Sequence, residues 1–320
     1  MRTTCAGHNK VRFLLTLAFA ALLASRAAAN DTTLGSTSRK DLITAVKRLE
    51  KKLGLRRTKN FQKESTESAV AYRCYYTGKL ELPDSYEKLQ LTQGTKSGCP
   101  LDSAKYDIFF YPMDANASGR TPVSASLAHE SVERFLVVVP HEDFHAGKEL
   151  RKLSPTLNEA AATLIGFLTA SEVAKQQFGV DSEVYKNLQR EPELFSRKTE
   201  IVNRYFDKLR QLYAERQAGG VSVTDALAQK RRAFEEMQQA CRTIDPPPKS
   251  FNRCLSAPNN AGLAFDETYT KYYPIMYEVY RANGGELKPT LDALERALNG
   301  KTEPEALQSL QALTGKRAAR

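Results

Sequence analysis

Apolar residues recur at two different periods along the chain, and the change of period divides it. Over 39–53, Leu42, Ile43, Val46, Leu49 and Leu53 fall at helical spacing and predict a helix that Gly54 ends. Val70–Tyr76 and Tyr106–Tyr111 instead gather aromatic and β-branched residues between Pro and Gly, and read as strands of a small sheet. Residues 113–122 read as a loop. From Ser124 the period returns to helical, with helices expected over about 126–139, 157–177, 193–217, 224–242, 262–282, 289–298 and 303–313. Pro140 either kinks the first of these or starts a new helix, and the β-branched run Leu136–Val139 leaves a strand as the alternative. The expected fold class is α+β and predominantly α-helical, with a small β-rich lobe in 30–123 followed by a helical body in 124–315.

The one long apolar run that precedes this pattern, Phe13–Leu23, follows Arg2, Lys10 and Arg12 and is followed by Ala27-Ala28-Ala29. That order of basic, apolar and small residues reads as a signal peptide over 1–29, cut near Ala29/Asn30. The run is short for a bilayer, and no other stretch is long and apolar enough to cross one. The expectation is an exported protein, periplasmic or secreted, with residues 30–320 as a single domain and no stable membrane span. Four cysteines remain beyond residue 29, namely Cys74, Cys99, Cys241 and Cys254. An even number in an oxidising compartment favours two bridges, and of the three possible pairings loop closure favours Cys74–Cys99 with Cys241–Cys254. The formal charge of +10 falls to +6 without the four cations of residues 1–29. Such a balance is compatible with anionic partners or a membrane face and does not point to nucleic acid.

Histidine is scarce beyond residue 29, with only His129, His141 and His145 present. Two of them form His141-Glu142-Asp143-Phe144-His145, an H-E-x-x-H pattern. Four residues apart on a helix, both imidazoles project from one face and can meet one ion, which neutral imidazole nitrogen suits well if it is zinc. Glu142 then lies within reach of a water on that ion and can serve as general base. A catalytic zinc needs a third protein ligand. Glu159, beside Asn158 and shortly after Pro155, opens the small and apolar run Ala160–Phe167 and can direct its carboxylate at the ion from a second helix packed antiparallel to the first. His129 reads as a surface or core histidine.

H-E-x-x-H, a short connection, then Asn-Glu and a run of small residues resembles the bacterial predicted aminopeptidase family, a gluzincin-type group of zincin-like fold. Asn259-Asn260-Ala261 with Leu263-Ala264, then Thr268-Tyr269, Pro274 and Gly284-Gly285-Glu286-Leu287, is similar to that family's asparagine-pair segment, and Leu49–Leu55 is a weaker match. The resemblance implies one zinc per chain held by His141, His145 and Glu159, with Glu142 catalytic. It further implies that Asn259, Asn260 and Tyr269 face a peptide substrate, the tyrosine donating to the oxyanion. The connection from His145 to Glu159 is one residue longer than the family's usual form, Ala146-Gly147-Lys148 depart from its usual run, and the chain has no Trp. The expected activity is a zinc metallopeptidase of aminopeptidase type. Two alternatives stand beside it: a non-catalytic exported or envelope-associated binding protein, and a zinc amidase acting on cell-wall peptides. Glu142 separates the first from an enzyme, because a purely structural zinc has no use for a base.

Overall fold

The computed structural model describes residues 37–145, 153–251 and 254–315. The expected signal segment, its cleavage point and Ala146-Gly147-Lys148 lie outside them. Helix α1 (Arg39–Leu53) spans the residues its periodicity marks, buries Leu42, Val46 and Leu49, and gives way to Gly54, whose φ of +88° suits glycine.

Three antiparallel strands follow: β1 (Ala71–Gly78), β2 (Gln90–Gln93) and β3 (Tyr106–Met113), in the order β2-β1-β3. β1 and β3 are the two strands expected from their aromatic content, and Tyr75 lies opposite Phe109 in the register. β2 was not foreseen, because it is short, polar and largely exposed, with no apolar alternation to reveal it. β3 is an edge strand, which is why it tolerates Pro112. Cys74 and Cys99 are bonded, tying β1 to the loop beyond β2, and Cys241 is bonded to Cys254.

The expected helix over 126–139 is two helices, α2 (Ala125–His129) and α3 (Val132–Phe144). Ser131 breaks it by accepting a bond from the Arg134 N–H, which caps a fresh helix start. Pro140 neither starts a helix nor lies in a strand. It sits inside α3, so that H-E-x-x-H occupies the last turn and His145 is the C-cap. α4 (Pro155–Phe178) begins at Ser154, whose hydroxyl caps Leu157 N–H, with Pro155 in the first turn. α5 (Glu183–Gln217) starts ten residues before the expected point, at the Ser182 cap, and carries Pro192 within it. α6 (Val223–Cys241) is as expected. The long helix expected over 262–282 divides at Lys271–Tyr272 into α7 (Asn260–Thr270) and α8 (Tyr273–Ala282), with Pro274 in the first turn of α8. α9 (Leu287–Leu298) and α10 (Glu303–Gly315) close the chain.

α4 is the axis of the helical body. Residues Glu159–Ala170 are buried on every side, which fits a run lacking an amphipathic period. It packs against α1, α3, α5, α7, α8 and α9. Its closest approach is to α3, where a methyl group on Gly166 would lie 3.1 Å from the Val137 carbonyl oxygen and 3.2 Å from His141 Cβ. A larger residue there would require α3 to give by a few tenths of an ångström. The sheet docks on α7 through aromatic contacts, Phe109 lying 4.8 Å from Phe265 between ring centroids. The described residues from Arg39 onward form one compact unit.

On α7, Glu267 is buried with one carboxylate oxygen lacking any hydrogen-bond partner. Burial pushes its pKa up to about 8, and Lys271 only partly opposes this. The folded state thus keeps a proton that the unfolded chain releases near the ordinary value of 4.5. Between those limits the folded state binds more protons, so stability falls as pH rises through the window. Glu267→Gln should flatten that slope and gain about 2–4 kcal/mol over the native chain at its alkaline end. Urea unfolding across the window measures it, and parallel curves for the two proteins would refute the assignment.

Candidate metal centre

Among the described residues one group of possible metal ligands converges: His141 and His145 from the end of α3 and Glu159 from the second turn of α4. Their positions follow from local structure. The last turn of α3 stacks the two imidazoles on one face. The antiparallel run of α4 past Gly166 brings Glu159 level with them. The His141 and His145 Nε2 atoms are 3.1 Å apart, and each is 3.2 Å from Glu159 Oε2. Three ligands of a tetrahedral ion at about 2.0–2.1 Å would stand about 3.3 Å from one another. The donor triangle is therefore the size that such an ion requires, and its chemistry of two imidazoles and one carboxylate suits zinc.

Two of the three candidate ligands are oriented from behind. His145 Nδ1 donates to Asn158 Oδ1 at 3.1 Å, which leaves the Nε2 lone pair aimed at the shared point. Tyr86 Oη donates to Glu159 Oε1 at 3.3 Å, fixing the carboxylate while Oε2 faces the histidines. The electrostatics agree that a positive charge belongs there. Burial alone would lower the pKa of His145, yet Glu159 outweighs it and pushes the group up to about 9. Burial works to raise Glu159, but His145 and His141 prevail and hold it well below the usual carboxylate range.

The trio forms part of the wall of a cavity of about 390 Å³. Glu142 lines it too, one residue from His141. Burial raises its pKa, with the two imidazoles opposing. Tyr269 also lines the cavity, its ring at 26° to that of His141 with centroids 6.3 Å apart. Burial, then the Glu159 charge, keeps its phenol protonated far up the pH scale. Sequence reasoning thus located five residues that the fold assembles: His141, Glu142, His145, Glu159 and Tyr269.

The asparagine pair lies elsewhere. Asn259 caps α7 by accepting from the Gly262 N–H and donates to the Ile108 carbonyl. Asn260 accepts from Tyr213 Oη and donates to the carbonyls of Lys79 and Glu81. Both side chains bind the sheet lobe to α7, and neither lines the cavity of the trio. His129 is exposed on α2, bonded to the Ala125 carbonyl, away from the ligands.

Four contributors escaped the sequence: Tyr86, Tyr111, Arg73 and Asp143. Tyr111 was discernible as a strand residue but not as a cavity residue, and an isolated tyrosine such as Tyr86, which opens a single 3-10 turn over Tyr86–Lys88, carries no signal at all. Asp143 points away from the cavity, between the two histidines in sequence but on the other side of the helix. It takes an ion pair from Lys47 and hydrogen bonds from Thr58 Oγ1 and, at 2.9 Å, from Asn60 Nδ2. Asn60 Oδ1 in turn accepts the Thr121 N–H. This clamp fastens the H-E-x-x-H turn to the N-terminal segment.

Asp143→Ala should cost about 3 kcal/mol or more, since it strands a lysine and two donors in a partly buried site. Chemical denaturation reads the loss directly, and a change under about 1 kcal/mol would mean that the clamp does not hold the turn.

A family profile described as "Putative aminopeptidase" matches residues 119–309, well over half of the chain, and the chain belongs to that family. The match takes in α3, α4 and α7 and hence every candidate ligand. No curated protein and no solved structure matches the chain.

Proposed function

From that membership we propose that the chain is an exported zinc-dependent peptidase in which His141, His145 and Glu159 hold a single ion and Glu142 is the general base. Membership supports a peptidase acting on peptide substrates. The observation that carries the metal is the donor triangle, with edges of 3.1 and 3.2 Å, two of its three members fixed by hydrogen bonds from behind. The bonded cysteine pairs, together with the basic-apolar-small order of residues 1–29, support an oxidising destination outside the cytoplasm.

When bound, the ion supplies Lewis acidity toward the scissile carbonyl and lowers the pKa of a water. The remaining work falls to this chain's side chains. Glu142 takes the proton of the attacking water at its carboxylate and delivers it to the departing amine nitrogen. Its buried setting raises its affinity for that proton, as a shuttle needs. Tyr269 donates its phenol hydrogen to the carbonyl oxygen as that atom gains charge. Asn158 and Tyr86 hold His145 and Glu159 in place throughout. The lining also offers one further acid, Glu87, and one cation, Arg73, whose Nη1 donates to Tyr75 Oη at 3.1 Å. A carboxylate apart from the reacting groups is what a free substrate amine would seek, and Glu87 fits aminopeptidase action in that way.

Metal analysis of the purified chain should give about one zinc per molecule, absent from His141→Ala and His145→Ala. Glu142→Gln should keep the metal while kcat on a peptide library falls about 10²–10⁴-fold. If native protein and Glu142→Gln are equally inert with zinc retained, the chain is a binding protein.

Asn158→Ala tests the support behind the ligands. It should weaken zinc affinity about 10–100-fold in a competition with a chromogenic chelator. Unchanged affinity would show that Asn158 does not orient His145.

A further inference from the structure

Residues 39–63 hold ten Lys or Arg and two acids, a net +8 in a chain whose total is +10. The fold concentrates this charge. α1 forms one wall of a trough of about 1010 Å³ and residues 55–64 form the other. Lys40, Arg48 and Lys51 stand along the helix wall, the first two about two turns apart and the last two about one, and Arg57, Lys59 and Lys63 stand opposite. All six are exposed, and no ion pair among the described residues engages any of them. The remaining lining cations are already committed, Arg39 to the carbonyls of Ala128 and Glu130 and Lys47 to Asp143. One exposed acid, Glu64, shares the lining.

Like charges one helical turn apart repel. Six cations gathered on the two walls of one trough give it a positive field that an extended anion between them would meet. The trough lies outside the family-matched residues except for Val123, and it meets the surroundings of the trio only through Lys47 and Thr58, whose polar atoms are turned to Asp143. Its shape and lining narrow the partner. A flat bilayer would touch the rims and leave the floor of Ile43, Leu55, Phe61 and Val123 unreached. Phe61 is the single aromatic in the lining and is 3% exposed, so nucleobases have no surface on which to stack. From Lys40 to Lys51 the helix wall runs about 16 Å, long enough to meet several charges of one extended polymer.

We propose that this trough is a docking site for a linear polymer of repeating phosphate groups, held by Lys40, Arg48, Lys51, Arg57, Lys59 and Lys63. Such binding releases counterions, and about four neutralised phosphates give a log–log salt slope near −3.

The test uses the full chain and end-labelled inorganic polyphosphate followed by fluorescence anisotropy. Affinity should fall about 60-fold from about 50 to about 200 mM salt. Arg48→Glu combined with Lys51→Glu should weaken binding at least about tenfold at the lower salt, with zinc content and hydrolysis of an uncharged peptide unchanged. Lys186→Glu combined with Lys288→Glu makes the same change in net charge outside the trough and should leave affinity within about twofold. Equal losses from the two double variants would overturn the proposal in favour of diffuse charge. So would native affinity in the trough variant, or binding of anionic vesicles, an acidic peptide or single-stranded DNA more tightly than polyphosphate. Because the readout is binding, failure here leaves the peptidase reading intact, and an inactive enzyme that still binds leaves this one intact.

Discussion

How closely two helices can approach decides whether this molecule has a site at all. The ligands come from the end of α3 and the start of α4, and their donor atoms meet only because the helices are nearly in backbone contact at Gly166. A larger residue there would press on the Val137 carbonyl and on His141 itself. Helix packing and ligand geometry are therefore one constraint. The burial of Ala160, Ala161 and Ala162 along the same helix reflects it too, since small side chains allow neighbours to close in around α4.

Around the last turn of α3 four carboxyl groups sit in four electrostatic settings. Glu159 is held ionised by two imidazoles, whereas Asp143 pairs with a lysine and accepts from two hydrogen-bond donors. Glu50, buried beside Asp143, keeps its proton up to about 9 because of burial and then the neighbouring charge. Glu142 has no ion pair among the described residues and faces the cavity. Neighbouring acids cannot all ionise at ordinary cost, so the surroundings divide the work among them, and the one left without a fixed partner is the one suited to moving a proton.

The sequence made the helical body and the candidate ligand trio legible because each rests on local rules. A four-residue spacing places two imidazoles on one face in any helix, and Pro155 ahead of an apolar run locates Glu159 near the beginning of the next. Boundaries set by a single cap were harder. Ser131 divides a run whose apolar period continues through it, and Tyr272 divides another where the stripe of tyrosines continues. The residues that surround the trio were beyond reach for a different reason. Tyr86 and Arg73 arrive through loop and strand packing between segments far apart in sequence, and no pattern within either segment marks them. Asn259 and Asn260 show the converse, conspicuous as a pair yet committed to capping α7 and joining it to the sheet.

The clamp on Asp143 also determines how the chain can be divided. Every donor atom of the trio falls within the segment shared with the family, whereas Lys47, Thr58 and Asn60 precede it by some sixty residues or more. A fragment starting where the shared segment starts would own a full set of ligands and still be an unsound protein. The carboxylate behind its H-E-x-x-H turn would lose its partners, and α4 would lose the helix that covers one of its sides. The segment that precedes the shared one and the shared segment itself are, in physical terms, a single folding unit.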